Sequence, residues 1–366
     1  MTLAKSRRQR LAAAMKDAGI DTMVLYGNAW QGDYLRYAAD FGILEGHGLA
    51  LLQADGACAL YLDSAVEVER AEAETAGVEV RFARNAAQAV SGELDRIANH
   101  HLAAAPRRFL PHFLTEATRR YSLADATALV DRLLMRKLPG EIEALRRAAM
   151  LADEGYAVFR DAARPGRPQY ELVAEVEAFF RSRGCPDNFM ILGSGGVDVR
   201  GMTPPSERRL AKDDLVTTEL TPAVDGYFAQ ICRTLVLGRA NAAQRRAFDL
   251  YLEAMEAGIA TVRPGATAAD IARAENDVFR KYGFGDYVTS KYTRVRGHGL
   301  GLFVDSKPQL LEDVDVPLEA GMVIIVHPNT YHPEVGYMVL GDALVVTESG
   351  AEVLTRTPRQ LFEVPI

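Results

Sequence analysis

Cysteine is scarce: the chain has three in 366 residues, Cys58, Cys185 and Cys232, widely spaced and without a CxxC pair. An odd, scattered set excludes a disulfide framework and a paired-cysteine zinc site. A basic excess is missing as well. The formal net charge is −7 and no run of Lys or Arg offsets it, so neither nucleic acid nor an anionic membrane surface is an expected partner. No stretch approaches the roughly eighteen uninterrupted apolar residues that signal a transmembrane helix. The basic N-terminal stretch MTLAKSRRQRLAAAMKDAGI is broken by Lys16 and Asp17 before an apolar core develops. It reads as an amphipathic surface helix rather than a signal segment, and a cytoplasmic location is expected.

What is present is ordinary for a folded chain, 48% hydrophobic and 25% charged residues, and the length exceeds what one core usually holds. Two domains are therefore expected. In the first, DTMVLYG reads as a strand, and GLALLQADGACALYLDS as two strands joined at Ala54-Asp55-Gly56. SAVEVERAEAETAG returns to a helical pattern. The alternation runs to Lys137-Leu138-Pro139-Gly140, where Pro139 suits the first turn of a new helix and Glu141 favours its N-terminus. The boundary is set just before this break, giving domains 1–134 and 135–366. The second domain reads as helix pair, strand pair turning at Asp225-Gly226, helix pair, and a strand-rich end. This order suggests an architectural duplication without a sequence repeat.

Chemistry concentrates in two stretches. In RGHGLGL, residues 296–302, His298 stands between glycines, where backbone comes close and side chains crowd little, which suits an imidazole facing a ligand or metal. In GMVIIVHPNTY, residues 321–331, a buried Val/Ile strand emerges at His327 before a proline. Arg294, Arg296 and Lys307 lie near His298 in sequence, and a cation in the cleft would favour a carboxylate-bearing substrate. Cys232 reads as structural, because free cysteines are commonly buried.

GHGLGL, PLEAGMVIIVHPNTY, DGYFAQICRTLVLG and GDALVVTESGAEVLT together resemble, in order and spacing, the creatinase, prolidase and methionine aminopeptidase family. The resemblance runs from about Glu141 onward. It implies an α/β chain whose C-terminal domain has the pita-bread fold, two αα-ββ halves around a curved antiparallel sheet. The N-terminal αβ region is similar to the accessory domain of creatinases and prolidases.

The metal-dependent members of that family hold two divalent ions with two aspartates, the GHG histidine and two glutamates. By resemblance these five positions fall on Glu219, Gln230, His298, His327 and Gly341, and only His298 keeps its residue type. One carboxylate does not compensate two adjacent dications, so a dinuclear centre is expected absent; no cofactor is the expectation, with one divalent metal ion as the alternative. In creatinases the acid-base histidine falls on Met202, and the glutamates that hold the guanidinium fall on Gln230 and His327, which removes creatine as an expected substrate. The second histidine of prolidases falls on Asp305.

The surviving constellation allows two chemistries. His298 and His327, oriented by Glu219 or Asp305, can act as acid and base while Gln230 holds a substrate carbonyl or amide. Alternatively Glu219, His298 and His327 hold one divalent ion with Gln230 as a weak ligand. Asp305 and Asp342 are candidate acceptors behind the histidines in either case. From the first domain, the loop FGILEGHGLALL resembles one that reaches the partner's substrate in creatinase dimers, which nominates Glu45 and His47. Trp30 and Arg36, in GNAWQGDYLRY, cluster on a glycine-bounded loop as candidate pocket wall, although each alone reads as packing or solvated charge. The expected function is a creatinase-like, metal-independent, homodimeric hydrolase cleaving an amide or amidine-like C–N bond of a small molecule. The alternatives are a mononuclear metal hydrolase resembling Xaa-Pro aminopeptidases, and a ligand-binding pseudoenzyme.

Overall fold

The computed structural model describes residues 2–97 and 101–366, so Met1 of the N-terminal helical stretch lies outside the described residues. The chain divides into two compact units, Met1–Leu134 and Met135–Ile366. No helix among the described residues is long and apolar enough to cross a membrane.

The first unit follows the order α1 (Leu3–Asp17), β1 (Thr22–Asn28), α2 (Asp33–Ala39), β2 (His47–Gln53), β3 (Cys58–Leu62), α3 (Ala65–Glu74), β4 (Glu79–Phe82), α4 (Ala86–Arg96), β5 (Leu102–Ala105), α5 (His112–Ala117), β6 (Ala124–Asp125) and α6 (Thr127–Met135). Its sheet runs β4-β3-β2-β1-β5-β6. The hairpin β2–β3 turns at Gly56 with φ +95°, a conformation open to glycine at no steric cost. Val24, Tyr26, Leu49 and Leu51 from the sheet pack on Val90 and Leu94 of α4.

The second unit begins at α7 (Pro139–Ala162), whose Pro139 needs no N–H partner and whose Glu141 carboxylate accepts the Leu138 N–H at 2.7 Å. There follow α8 (Gln169–Ser182), β7 (Asn188–Gly195), β8 (Leu215–Val224), β9 (Tyr227–Phe228), β10 (Ile231–Leu237), α9 (Ala242–Thr261) and α10 (Ala268–Lys281). The chain closes with β11 (Gly297–Gly299), β12 (Ser306–Gln309), β13 (Val323–Val326), β14 (Asn329–His332), β15 (Gly336–Val339), β16 (Asp342–Val346), β17 (Ala351–Val353) and β18 (Phe362–Val364). One sheet runs β18-β10-β8-β7 and another β12-β11-β13-β16-β17, with β14 and β15 a separate ribbon. The helix pair α7/α8 covers the first sheet through Tyr156, Phe159 and Phe180 on Val216, Leu220 and Ile231. Helix α10 presents Ile271 to Ile324, Val326 and Leu344 of the second.

The two sheet regions are joined by isolated backbone bridges, Phe228 with Gly301 and Cys232 with Gly341. Cys232 N–H donates to Gly341 O at 3.0 Å and Gly341 N–H to Cys232 O at 2.9 Å. That seam brings the end of the first strand pair, with Glu219 and Gln230, against the second, with His298 and His327.

Candidate active site

A cavity of about 520 Å3 opens at the seam, and Met202, Glu219, Gln230, His298, Asp305 and His327 all line it. Glu219 sits mid-strand on β8, in register with Ile191 of β7 and Cys232 of β10. Burial pushes its carboxyl up to about 7, Arg294 pulls against that, and Asp305 adds to it. The Gln230 amide donates to Cys232 Sγ at 3.3 Å, which leaves its carbonyl oxygen for a ligand.

The glycines flanking His298 have a steric cause. A Cβ on residue 297 would lie 2.1 Å from Ile325 O, and one on residue 299 would lie 1.9 Å from Lys307 O. Only bare backbone lets β11 approach β13 and β12 this closely. The His298 ring is fixed in turn: Nδ1 is 2.9 Å from Gly299 O, and a carbonyl can only accept, so the proton resides on Nδ1 and Nε2 is left as an acceptor. Asp305 Oδ1 stands 3.8 Å from the same Nδ1, beyond hydrogen-bond reach, and its other oxygen pairs with Arg294 at 2.5 Å. Burial lowers the pKa of His298, so the ring is neutral near pH 7.

His327 follows β13, its N–H held by Arg296 O at 3.0 Å. Its ring meets His298 edge to face with centroids 5.5 Å apart, and its Nδ1 is buried without a hydrogen-bond partner. Burial first, then the neighbouring His298, drives its pKa well down. The structure thus holds two neutral imidazoles and one carboxyl that titrates near neutrality around a single space.

Asp342 is an expected residue of the second unit that lies elsewhere, and four others belong to the first unit. Asp342 does not line the cavity; its carboxylate accepts from Arg233 at 2.6 Å, Arg359 at 2.6 Å and Thr355 at 2.8 Å, and two cations hold it as structure. In the first unit, Trp30 is 88% exposed, and Glu45 accepts from the Ser64 hydroxyl at 2.8 Å. His47 hydrogen-bonds Tyr26 at 2.8 Å and packs edge-on to Phe113. Arg36 lies against Gly42, where its Nη1 would be 2.9 Å from an added Cβ. Among the lining residues of the cavity that the sequence reading did not single out are Arg200 and Tyr337. Arg200 stood two positions before Met202 and was the signal to follow; its guanidinium stacks over the Tyr331 ring at 5.4 Å.

The family model described as metallopeptidase family M24 matches residues 143–348, and that of the creatinase/prolidase N-terminal domain matches residues 7–135. The chain belongs to metallopeptidase family M24. Among relatives, the Xaa-Pro dipeptidase of Pyrococcus furiosus is 30% identical over 228 residues, 62% of this chain and 64% of that protein, so the match spans less than two thirds of that relative's length. The putative dipeptidase YkvY of Bacillus subtilis is 30% identical over 253 residues, 68% of each chain. The solved Xaa-Pro dipeptidase from Bacillus anthracis superposes with a TM-score of 0.85 at 26% identity, covering 98% of this chain and 99% of that one. Dipeptidase PepE from Mycobacterium ulcerans gives 0.84 at 27%, covering 100% and 98%. The M24 pita-bread domain and its creatinase-like N-terminal domain are thereby established.

Membership in M24 corrects two expectations. A cofactor-free chain does not follow from the lost ligand positions, because this is a metallopeptidase family. Nor do the relatives named above favour a creatinase-like activity, since each is described as a dipeptidase. Yet the donors of this M24 chain do not fit the family's metal pair. Of the five positions, Gly341 offers no donor and the Gln230 amide is neutral, which leaves Glu219 as the lone carboxylate. Among the described residues no group of three or more His, Cys, Asp or Glu side chains is found arranged to hold a metal ion.

Proposed function

We propose that this M24 chain is a hydrolase that cleaves the C–N bond of a small, carboxylate-bearing, peptide-like substrate in the seam cavity. The observation that carries the reading is His298, its Nδ1 proton tied to Gly299 O and its Nε2 left as an acceptor on the cavity that Glu219 also lines. In the proposed roles, His298 Nε2 takes a proton from the attacking water. Glu219, in its acid form, gives one to the departing nitrogen, which a carboxyl titrating near 7 can do at neutral pH. The unpartnered His327 Nδ1 and the Gln230 carbonyl orient the amide. Arg200, which stacks on Tyr331 and pairs with no carboxylate among the described residues, receives the substrate's carboxylate. The dipeptidase relatives support a dipeptide as the first substrate class to try.

The test is hydrolysis of a dipeptide panel that includes Xaa-Pro members, read as release of free amino acid with and without added divalent ions. Turnover should fall by about 10²–10⁴ in His298→Ala with folding intact. Turnover unchanged by His298→Ala would remove the assignment. A second reading, a pocket that binds peptides without cleaving them, is favoured by the replacement of four of the five ligand positions. Dipeptide binding by calorimetry without turnover under any condition would establish it. The homodimer implied by the resemblance and the cytoplasmic location expected from the N-terminal sequence belong to the same proposal, and a concentration-independent monomer in light scattering would remove the dimer.

A further inference from the structure

The charges on the wall of the seam cavity narrow what its peptide-like substrate can be. Two carboxyl groups line it, Glu219 and Asp305, and two guanidinium groups, Arg200 and Arg294. Asp305 is already engaged: one oxygen accepts from Arg294 at 2.5 Å and the other from the Gln309 amide at 3.2 Å. Glu219 holds the proton that the proposed reaction delivers to the departing nitrogen, so in that role it carries no charge. Arg200 stacks on Tyr331 and pairs with no carboxylate among the described residues. The charge left unmatched on the wall is therefore positive.

That sign decides which end of a peptide fits. In a free dipeptide the α-ammonium sits on the carbon next to the scissile carbonyl. It cannot stay in water at the mouth while that carbonyl lies between Glu219 and His298, which are only 8% and 5% exposed. A cation drawn in there leaves its hydration behind and finds no free carboxylate, which is costly. A substrate carboxylate meets the opposite situation at Arg200. Ile191, Met202, Phe303 and Val304 supply apolar wall, which suits a hydrocarbon chain.

We infer that the seam cavity takes an N-acyl amino acid, an apolar acyl chain in amide linkage to an amino acid whose carboxylate rests on Arg200, in place of a dipeptide with a free amino group. This rests on the hydrolase reading, which keeps Glu219 uncharged. Cleavage balances without a further reactant. The oxygen of water bonds to the acyl carbon as its proton passes to His298 Nε2, the C–N bond breaks, and the nitrogen leaves with the Glu219 proton. The proton on His298 then makes good the one that Glu219 gave up, and the products are a carboxylic acid and an amino acid.

Three probes that differ at a single position test this: leucyl-phenylalanine, its des-amino analogue isocaproyl-phenylalanine, and the analogue with a hydroxyl in place of the ammonium. Each is titrated into the full chain by calorimetry at neutral pH and followed separately for release of phenylalanine. The des-amino and hydroxy analogues should both bind about tenfold or more tightly than the dipeptide, as an unpaired buried charge implies, and release phenylalanine faster. Dipeptide binding as tight as that of the des-amino analogue would overturn the inference, and leave the hydrolase reading to stand or fall on the release of phenylalanine. A hydroxy analogue as weak as the dipeptide would also overturn it, because polarity rather than charge would then be what the cavity rejects. So would the absence of saturable binding of all three. Tighter binding of both uncharged analogues with no phenylalanine released from any probe would uphold the ligand class and end the hydrolase reading.

Discussion

Gly341 faces His327 so closely that a Cβ on residue 341 would lie 2.6 Å from the His327 Cβ and 3.1 Å from that of Cys232. The two residues occupy family ligand positions, and the geometry couples them: a side chain at 341 collides with the chain at 327 as it now runs. A carboxylate cannot be reinstated at 341 without moving its neighbour. Gly341→Ala is expected to destabilise by about 1–3 kcal/mol through overpacking. In a His327→Gly background the same change should cost at least about 0.5 kcal/mol less, as contacting residues couple. Denaturant unfolding of the four proteins gives the cycle; strict additivity would mean that Cys232 alone sets the limit.

The nearest atoms to an added Cβ at the glycines beside His298 are backbone carbonyl oxygens. Because Lys307 O cannot rotate away, Gly299→Ala should separate β11 from β12 and cost stability at the upper end of roughly 1–3 kcal/mol or beyond. The same shift would move the His298 ring off Gly299 O, so nitrogen chemical shifts of the imidazole should lose their Nδ1–H signature. A variant with normal stability and an unchanged tautomer would show that the strands tolerate the methyl group.

Much of this architecture was legible in the sequence because its determinants are local. Pro139 and Glu141 mark the start of α7, Ala54-Asp55-Gly56 turns the hairpin, and the GHG glycines announce close backbone around a histidine. The cavity residues Glu219, Gln230, His298 and His327 were legible as well, through the resemblance to the family's motifs. What stayed hidden depends on pairing between distant segments. Asp342 stands next to Gly341 in sequence, yet its side chain turns to Arg233 and Arg359. No local signal tells a carboxylate that points at a site from one that points at two arginines. Arg200 was hidden for the same reason, since only the folded loop brings it over Tyr331.

Asp342 is therefore predicted to matter for stability rather than for binding. Arg233 is fully buried, and removal of the carboxylate leaves that cation without its charged partner. Asp342→Ala should destabilise by about 3–5 kcal/mol, as breaking a buried pair does from one side. Dipeptide affinity of the folded fraction should be unchanged. A stable variant with weakened ligand binding would return Asp342 to the site.

Asp33 gives a pH prediction independent of the cavity. Burial raises its carboxyl from 3.8 to about 6, partly opposed by the amide of Gln31, which donates to it at 2.6 Å. The folded state therefore holds this proton more tightly than the unfolded chain. The resulting stabilisation is fully present below 3.8 and is lost as pH rises through about 6. A rise of that size corresponds to about 3 kcal/mol at most. Asp33→Asn keeps an oxygen for Gln31 and cannot ionise. Relative to that variant, the wild-type protein should lose stability between pH 4 and 6.5 and then level off. Parallel stability curves across that range, measured by denaturant unfolding of both full-length proteins, would show that Asp33 ionises in the folded protein as readily as in the unfolded chain.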